Sequence, residues 1–271
     1  MAPQQYSYSV DKQGPVNVMS AAQNSAVAEQ AGHDAAFSCL DEPVRCGFAS
    51  VQAYFVDRIK RVAIRLLHRS VRGECWMLRM CFIAEVTTEC TLHEDWTGQT
   101  PDWLVPLIAQ HLEDEQHHAA AFAKALQARG ASAPETSAPD WLSRRKIFQW
   151  RNLAHRYAPC FAHDLLVPTY AIGMCAEQMA MRVLARHCEV IGDGHAMYSL
   201  FSRVLTDEAR HVQLCRNVLL RLVAPAEARQ LAALLREIRA IDAGFGVTGA
   251  LIMYAVGWFY WLRSGAPGSH R

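Results

Sequence analysis

From Pro43 onward, apolar residues recur at three- and four-residue intervals, and no stretch alternates apolar and polar as a half-buried strand would. "VQAYFVDRIKRVAIRLLHRS" and "ECWMLRMCFIAEVTTECTLHEDW" carry this helical period up to "TGQTP", a loop with Gly98 and Pro101. Pro101 stands where a helix can start, and "DWLVPLIAQHLEDEQHHAAAFAKALQARG" follows, with Pro106 in its first turns. "GASAPETSAPD", residues 130–140, reads as a breaker-rich linker. The second half repeats the plan. "WLSRRKIFQWRNLAHRYAP" leads into "FAHDLLVPTYAIGMCAEQMAMRVLARHCEV", where Pro168 is expected to kink the helix. "IGDGH" turns the chain into "AMYSLFSRVLTDEARHVQLCRNVLLRLV", and Pro225 opens a last long helical stretch. The pattern predicts an all-α chain with two helical hairpins joined by a linker. Residues 1–43, rich in Gln, Ala, Ser and Asn, read as a mobile arm, and residues 44–271 as one helical domain.

Composition narrows the classes. Half of the 271 residues are hydrophobic and a fifth are charged, which suits a globular chain with a substantial core. A formal net charge of +1 does not favour nucleic-acid binding. Nine cysteines occur without any C-x-x-C pair, so they read as small apolar residues of a reducing cytoplasm. The same absence argues against a zinc ribbon or a rubredoxin-type iron centre. No basic segment followed by an apolar run opens the chain, so no signal peptide is expected there. Residues 243–262, "AGFGVTGALIMYAVGWFYWL", carry no charge and match a bilayer in length. They are read as a buried bundle helix or a subunit interface, with membrane insertion as the alternative.

The candidate chemistry lies in two Glu-x-x-His pairs, Glu115 with His118 and Glu208 with His211. Residues three apart share a helical face, about 5–6 Å apart at Cβ. Glu85 stands 30 residues before Glu115, and Glu177 stands 31 before Glu208. The midpoint of the first interval is residue 100, inside "TGQTP"; that of the second falls inside "IGDGH". In an antiparallel hairpin, each Glu therefore lies level with its Glu-x-x-His partner, about 22 Å from the turn at 1.5 Å per residue. Four carboxylates and two imidazoles then meet inside the bundle, a donor set suited to two divalent metal ions. Unpaired carboxylates are expensive to bury, and two such ions balance four of them. Glu89 shares the face of Glu85 and is an alternative or labile ligand, whereas Glu85 gives the better midpoint.

This arrangement over about residues 74–222 resembles the ferritin-like di-iron carboxylate superfamily. The resemblance implies a ferritin-like four-helix bundle core with additional N- and C-terminal helices. It further implies that Asp114 orients His211 and Asp207 orients His118, each from the opposite half, and that Arg210 is the usual basic residue before the His. Phe122 stands where the ribonucleotide reductase small subunit keeps its radical Tyr. Rubrerythrin would need a Cys site, and ferritins are shorter. Among the oxygen-activating members, "DEARH" is most similar to the p-aminobenzoate N-oxygenases. Those carry an extra ligand His where this chain has Val204, while His111 occupies the equivalent position of the other half and is a candidate extra ligand, with a helix-surface histidine as the alternative.

The implied activity is that of a non-haem di-iron oxygenase, N-oxygenating or hydroxylating a small organic substrate with dioxygen. Two iron ions are the expected cofactor, with manganese as the rival. No nucleotide-binding signature is present, so electrons are expected from a reductase or ferredoxin, and a homodimer is compatible with the pattern. Competing readings are a ferroxidase or iron-handling protein, and a desaturase or aldehyde-deformylating enzyme. His93, His155, His163, His187 and His195 lack a partner at ligand spacing and read as surface or packing residues. Met174, Met179 and Met181 read as core filling, with the lining of a substrate cavity as the alternative, and Trp141, Trp150, Trp258 and Trp261 as packing anchors.

Overall fold

The computed structural model describes residues 37–41, 47–94, 100–133 and 139–263, without the side chains of residues 48, 49 and 89–94. The described residues are helical with no strand. Seven α-helices follow in order: α1 Gly47–Leu67, α2 Val71–Glu94, α3 Val105–Gln127, α4 Trp141–Tyr157, α5 Leu166–Ile191, α6 Tyr198–Leu222 and α7 Ala228–Arg263. Helix α2 packs along α3, α5 along α6, and α1 along α7.

Helix ends follow local chemistry. The Asp140 carboxylate accepts from the backbone N–H groups of Leu142 (2.8 Å) and Ser143 (3.1 Å), capping α4. Gly192 stops α5 in a left-handed conformation, φ 73°, where a side chain is disfavoured. Two boundaries differ from the sequence reading. Helix α3 begins at Val105 rather than Pro101, because residues 101–104 close a turn through Leu104 N–H to Pro101 O (2.8 Å). Helix α5 begins at Leu166, so Pro168 falls in its first turn, where its missing N–H is tolerated, and it does not act as a mid-helix kink.

The buried stripe of α6 is Phe201, Val204, Glu208, His211, Cys215, Val218 and Leu222, and that of α3 runs Ile108, His111, Glu115, His118, Phe122 and Leu126. The polar residues thus occupy core positions. One apolar cluster holds Leu104, Ile108, Tyr170, Met174, Cys215 and Val218; the other holds Leu78, Phe122, Leu126, Leu184, Phe201 and Val204. Along α3 and α5 the chain passes from the first cluster to the second, and along α6 it returns. Between them lies a layer of carboxylates and imidazoles, walled above and below by hydrocarbon.

Three other expectations change. Most of the N-terminal arm lies outside the described residues, but Phe37 and Leu40 are only 2% and 1% exposed and belong to the first apolar cluster. Residues 243–262 are not a core helix. Only Ala250 and Gly257 are buried there, while Leu251, Phe259 and Leu262 are at least half exposed. The small residues explain this, since a Cβ on Gly257 would stand 3.0 Å from Leu66 Cβ, so α1 approaches on that strip and the bulky side chains face outward. By length and composition this helix could cross a membrane. Trp141 and Trp258 are likewise exposed rather than anchored in the core.

The α1–α2 corner is the tightest point of the backbone. A Cβ on buried Gly73 would lie 2.3 Å from the Leu67 carbonyl oxygen, a contact no side-chain rotation relieves. Gly73→Ala is therefore expected to destabilise the fold by about 1–3 kcal/mol, measured as a lowered urea midpoint. An unchanged midpoint would show that the corner yields freely.

Candidate metal centre

Helices α2, α3, α5 and α6 bring Glu85, Glu115, His118, Glu177, Glu208 and His211 into the layer between the apolar clusters. All six are buried, Glu115 and Glu208 to 2% and 1% exposure. His111 joins them at 5% exposure, which removes the alternative of a helix-surface histidine. Glu89 is in α2, but its side chain lies outside the described residues.

The donors fall into two groups. Glu85, Glu115, His118 and Glu208 each offer one ligand atom within a common 4.8 Å, and so do His111, Glu115, Glu177 and His211. Glu115 belongs to both. Glu208 also faces both, with Oε1 3.7 Å from His118 Nδ1 and Oε2 3.6 Å from His211 Nδ1.

The imidazole orientations are set from outside the layer. His118 Nε2 lies 3.2 Å from Asp207 Oδ2, and His211 Nε2 lies 3.3 Å from Asp114 Oδ2. Each Asp comes from the opposite hairpin, as the resemblance implied. An aspartate accepts, so each Nε2 carries the proton. Each Nδ1 then turns inward toward carboxylate oxygens. Arg210 donates to Asp207 Oδ1 (2.6 Å) and stands 3.7 Å from Asp114 Oδ2, holding the two aspartates beside each other.

The donor set fits a cation pair. His118 Nδ1, His211 Nδ1 and Glu208 Oε2 are buried without a hydrogen-bond partner. Their distances to neighbouring donors are the reason. His118 Nδ1 is 3.6 Å from Glu85 Oε2, and His211 Nδ1 is 3.3 Å from Glu115 Oε1 without hydrogen-bond alignment. Two atoms bound to one metal ion at about 2.0–2.2 Å stand about 3–3.5 Å apart, so these spacings suit shared coordination. His111 Nε2 lies 3.1 Å from Glu115 Oε1 and 3.3 Å from Glu177 Oε1.

Without a cation, protons must carry the missing charge. Burial, reinforced by the charges of Glu115 and Glu208, holds the Glu85 carboxyl well above the usual range. Burial and a hydrogen bond to Glu208 do the same for Glu177. Burial disfavours ionised Glu115, but His111 and His211 outweigh it and hold that carboxyl low. Burial also opposes charging His211, yet Glu115 and Glu208 push it up to about 10. Metal ligands must shed such protons, so loading at this layer releases them.

A second polar cluster was missed by sequence reasoning. His68 Nδ1 and His195 Nε2 lie 3.4 Å and 3.2 Å from Glu74 Oε1, while Arg129 Nε donates to Oε2 at 2.7 Å. His187, 1% exposed, meets His68 Nε2 at 3.1 Å. Buried His187 is a packing residue, as expected, and His195 is tied to Glu74 rather than free on the surface; His155 and His163 are exposed, and His93 lies outside the described side chains. Every polar atom of Glu74 is satisfied here, and the Met197 N–H donates to His195 Nδ1 at 3.2 Å. The cluster is closed by hydrogen bonds and lacks the bare inward nitrogens of the first. Glu74 and His187 sit on α2 and α5, whereas His68, Arg129 and His195 lie in the turns that follow α1, α3 and α5, with no common spacing, so no pattern announces the cluster.

Asp114→Asn is expected to weaken metal retention by about 10–100-fold, read by chelator competition, with the helical circular dichroism unchanged. Retention equal to the unmodified protein would show that Asp114 does not set the His211 tautomer. No family model, curated protein or solved structure matches this chain, and the case for its chemistry rests on the donor set itself.

Proposed function

We propose that this chain is a non-haem di-iron oxygenase of the ferritin-like type, oxidising a small organic substrate with dioxygen. The observation that carries the reading is the pair of donor groups sharing Glu115, with both inward Nδ1 atoms left bare by aspartates behind the rings. Three imidazoles and four carboxylates suit iron, since imidazole and carboxylate both bind it and carboxylates can bridge or shift as its charge changes. A reduced iron pair held by these residues would supply the two electrons that dioxygen needs to oxygenate an amine or a C–H bond.

The chain's own residues create the conditions for that chemistry. Glu115 and Glu208 would be the residues to hold both ions, since each faces donors of both groups. Glu85 and Glu177 are placed at the two ends, one in each group. On metal loading, His118 Nδ1 and His211 Nδ1 would be the ligand atoms, since Asp207 and Asp114 accept from the Nε2 side of each ring and His211 gives up its second proton. His111 packs its ring 4.0 Å from that of His211 and turns Nε2 toward Glu115 and Glu177. Phe122 and Phe201 on one side and Met174 and Val218 on the other keep bulk water from the layer. The electron donor is proposed to be a separate reductase or ferredoxin.

The shared carboxylate yields a graded test. Purified and reconstituted with ferrous iron, the protein is expected to hold two iron ions per chain, measured by plasma emission spectroscopy. Glu115→Ala is expected to abolish both, and Glu177→Ala to lose the ion on the His111 side while retaining the other. Equal iron content in all three proteins would refute a dinuclear centre. Reductant-driven dioxygen uptake that is fast without any organic substrate, and unaffected by candidate amines, would instead support a ferroxidase.

A further inference from the structure

Helices α1, α5 and α7 enclose a cavity of about 240 Å³ that none of the seven donors lines. Its basic lining residues are Lys60, Arg182, Arg186 and Arg239, and its one acid is Asp242. Val56, Met179 and Val183 supply an apolar wall.

The charges in this cavity do not cancel. Asp242 is paired with Lys146 at 3.0 Å. Arg186 is bound to Asp57, whose other oxygen is held by Arg61 at 2.6 Å. Arg239 donates to the neutral backbone carbonyl of Asp41. Lys60 has no carboxylate in ion-pair contact among the described residues, although it is partly buried. Burial together with Arg186, Arg182 and Lys146 pushes Lys60 down to about 8, the shift expected of an ammonium group surrounded by like charge. A partly desolvated cation beside other cations is unfavourable unless an anion completes the site.

We propose that this cavity binds a small organic anion, its acidic group held by Lys60 with Arg239 and its apolar body laid against Val56, Met179 and Val183. A lysine ammonium serves as a point charge, and the neighbouring guanidinium group can add directed N–H donors to a carboxylate or phosphate. The site does not depend on metal in the donor layer. It adjoins that layer through α5, where Gln178 lines the cavity next to Glu177 in the chain.

Isothermal titration calorimetry of the full chain with octanoate, benzoate and inorganic phosphate tests this directly. Saturable one-to-one binding of octanoate or benzoate is expected. Lys60→Gln should weaken it about 10–100-fold, and Val183→Phe, which fills the cavity but keeps every charge, should weaken it as well. Arg236→Gln, an exposed α7 site outside the cavity, should leave it unchanged. The Val183→Phe protein keeps the test decisive if Lys60→Gln fails to fold. Absence of saturable binding by either carboxylate, binding of phosphate alone, or unaltered affinity in the folded cavity variants would overturn the proposal.

Discussion

Four carboxylates withdrawn from water in the middle of a helical protein are the constraint on which the rest of this structure turns. Each would be costly to bury alone. The chain gathers them so that imidazoles face their oxygens and aspartates stand behind the imidazoles. Charge is thereby alternated from the surface inward: Arg210, then Asp114 and Asp207, then the rings, then the carboxylates. The innermost shell still lacks positive charge, which is supplied by protons on Glu85, Glu177 and His211 or, in the proposed function, by metal.

The apolar clusters are the other half of this arrangement. Phe122, Phe201 and Leu126 on one side, and Met174, Val218 and Ile108 on the other, continue the same helical stripes that carry the donors. Those stripes position the donors because a core position has one inward direction, and packing above and below keeps each helix from rotating. A polar layer of this kind contributes little net stability and depends on its hydrocarbon neighbours to stay assembled. The contrast with the Glu74 cluster is instructive. There a carboxylate, three histidines and an arginine close on one another. The presence of histidine and glutamate together is therefore a weaker sign of a metal site than an inward ring nitrogen left without a hydrogen bond beside buried carboxylates.

Much of the candidate site was legible along the chain. The spacings of Glu85 to Glu115 and of Glu177 to Glu208, each centred on a breaker-rich turn, put the donors at one level before any packing was known. The pairing of Asp114 with His211 and of Asp207 with His118 was implied by the resemblance to the di-iron carboxylate superfamily, not by spacing alone. Other features were not legible. His111 lies four residues before Glu115, a spacing shared by surface and buried histidines alike, and only its burial against His211 separates the two. For residues 243–262 the sequence could not choose between a buried helix, a subunit interface and a membrane segment, because the stretch is apolar on all sides and its pattern cannot say which strip meets α1; the structure excludes only the buried helix. Phe37 and Leu40 were hidden in a segment whose average composition is polar.

The sequence by itself determined the helical class, the two hairpins and the level at which the carboxylates stand, because these follow from the 3.6-residue period and from turns between neighbours in the chain. Only the tertiary structure decided how each helix is rotated about its axis. That rotation set which Nδ1 faces which oxygen, which aspartate crosses to which histidine, and how Lys60 came to share a cavity with Arg182 and Arg239. Contacts of this kind join residues far apart in the chain, and their free energy depends on the simultaneous fit of several helices, which no local pattern encodes.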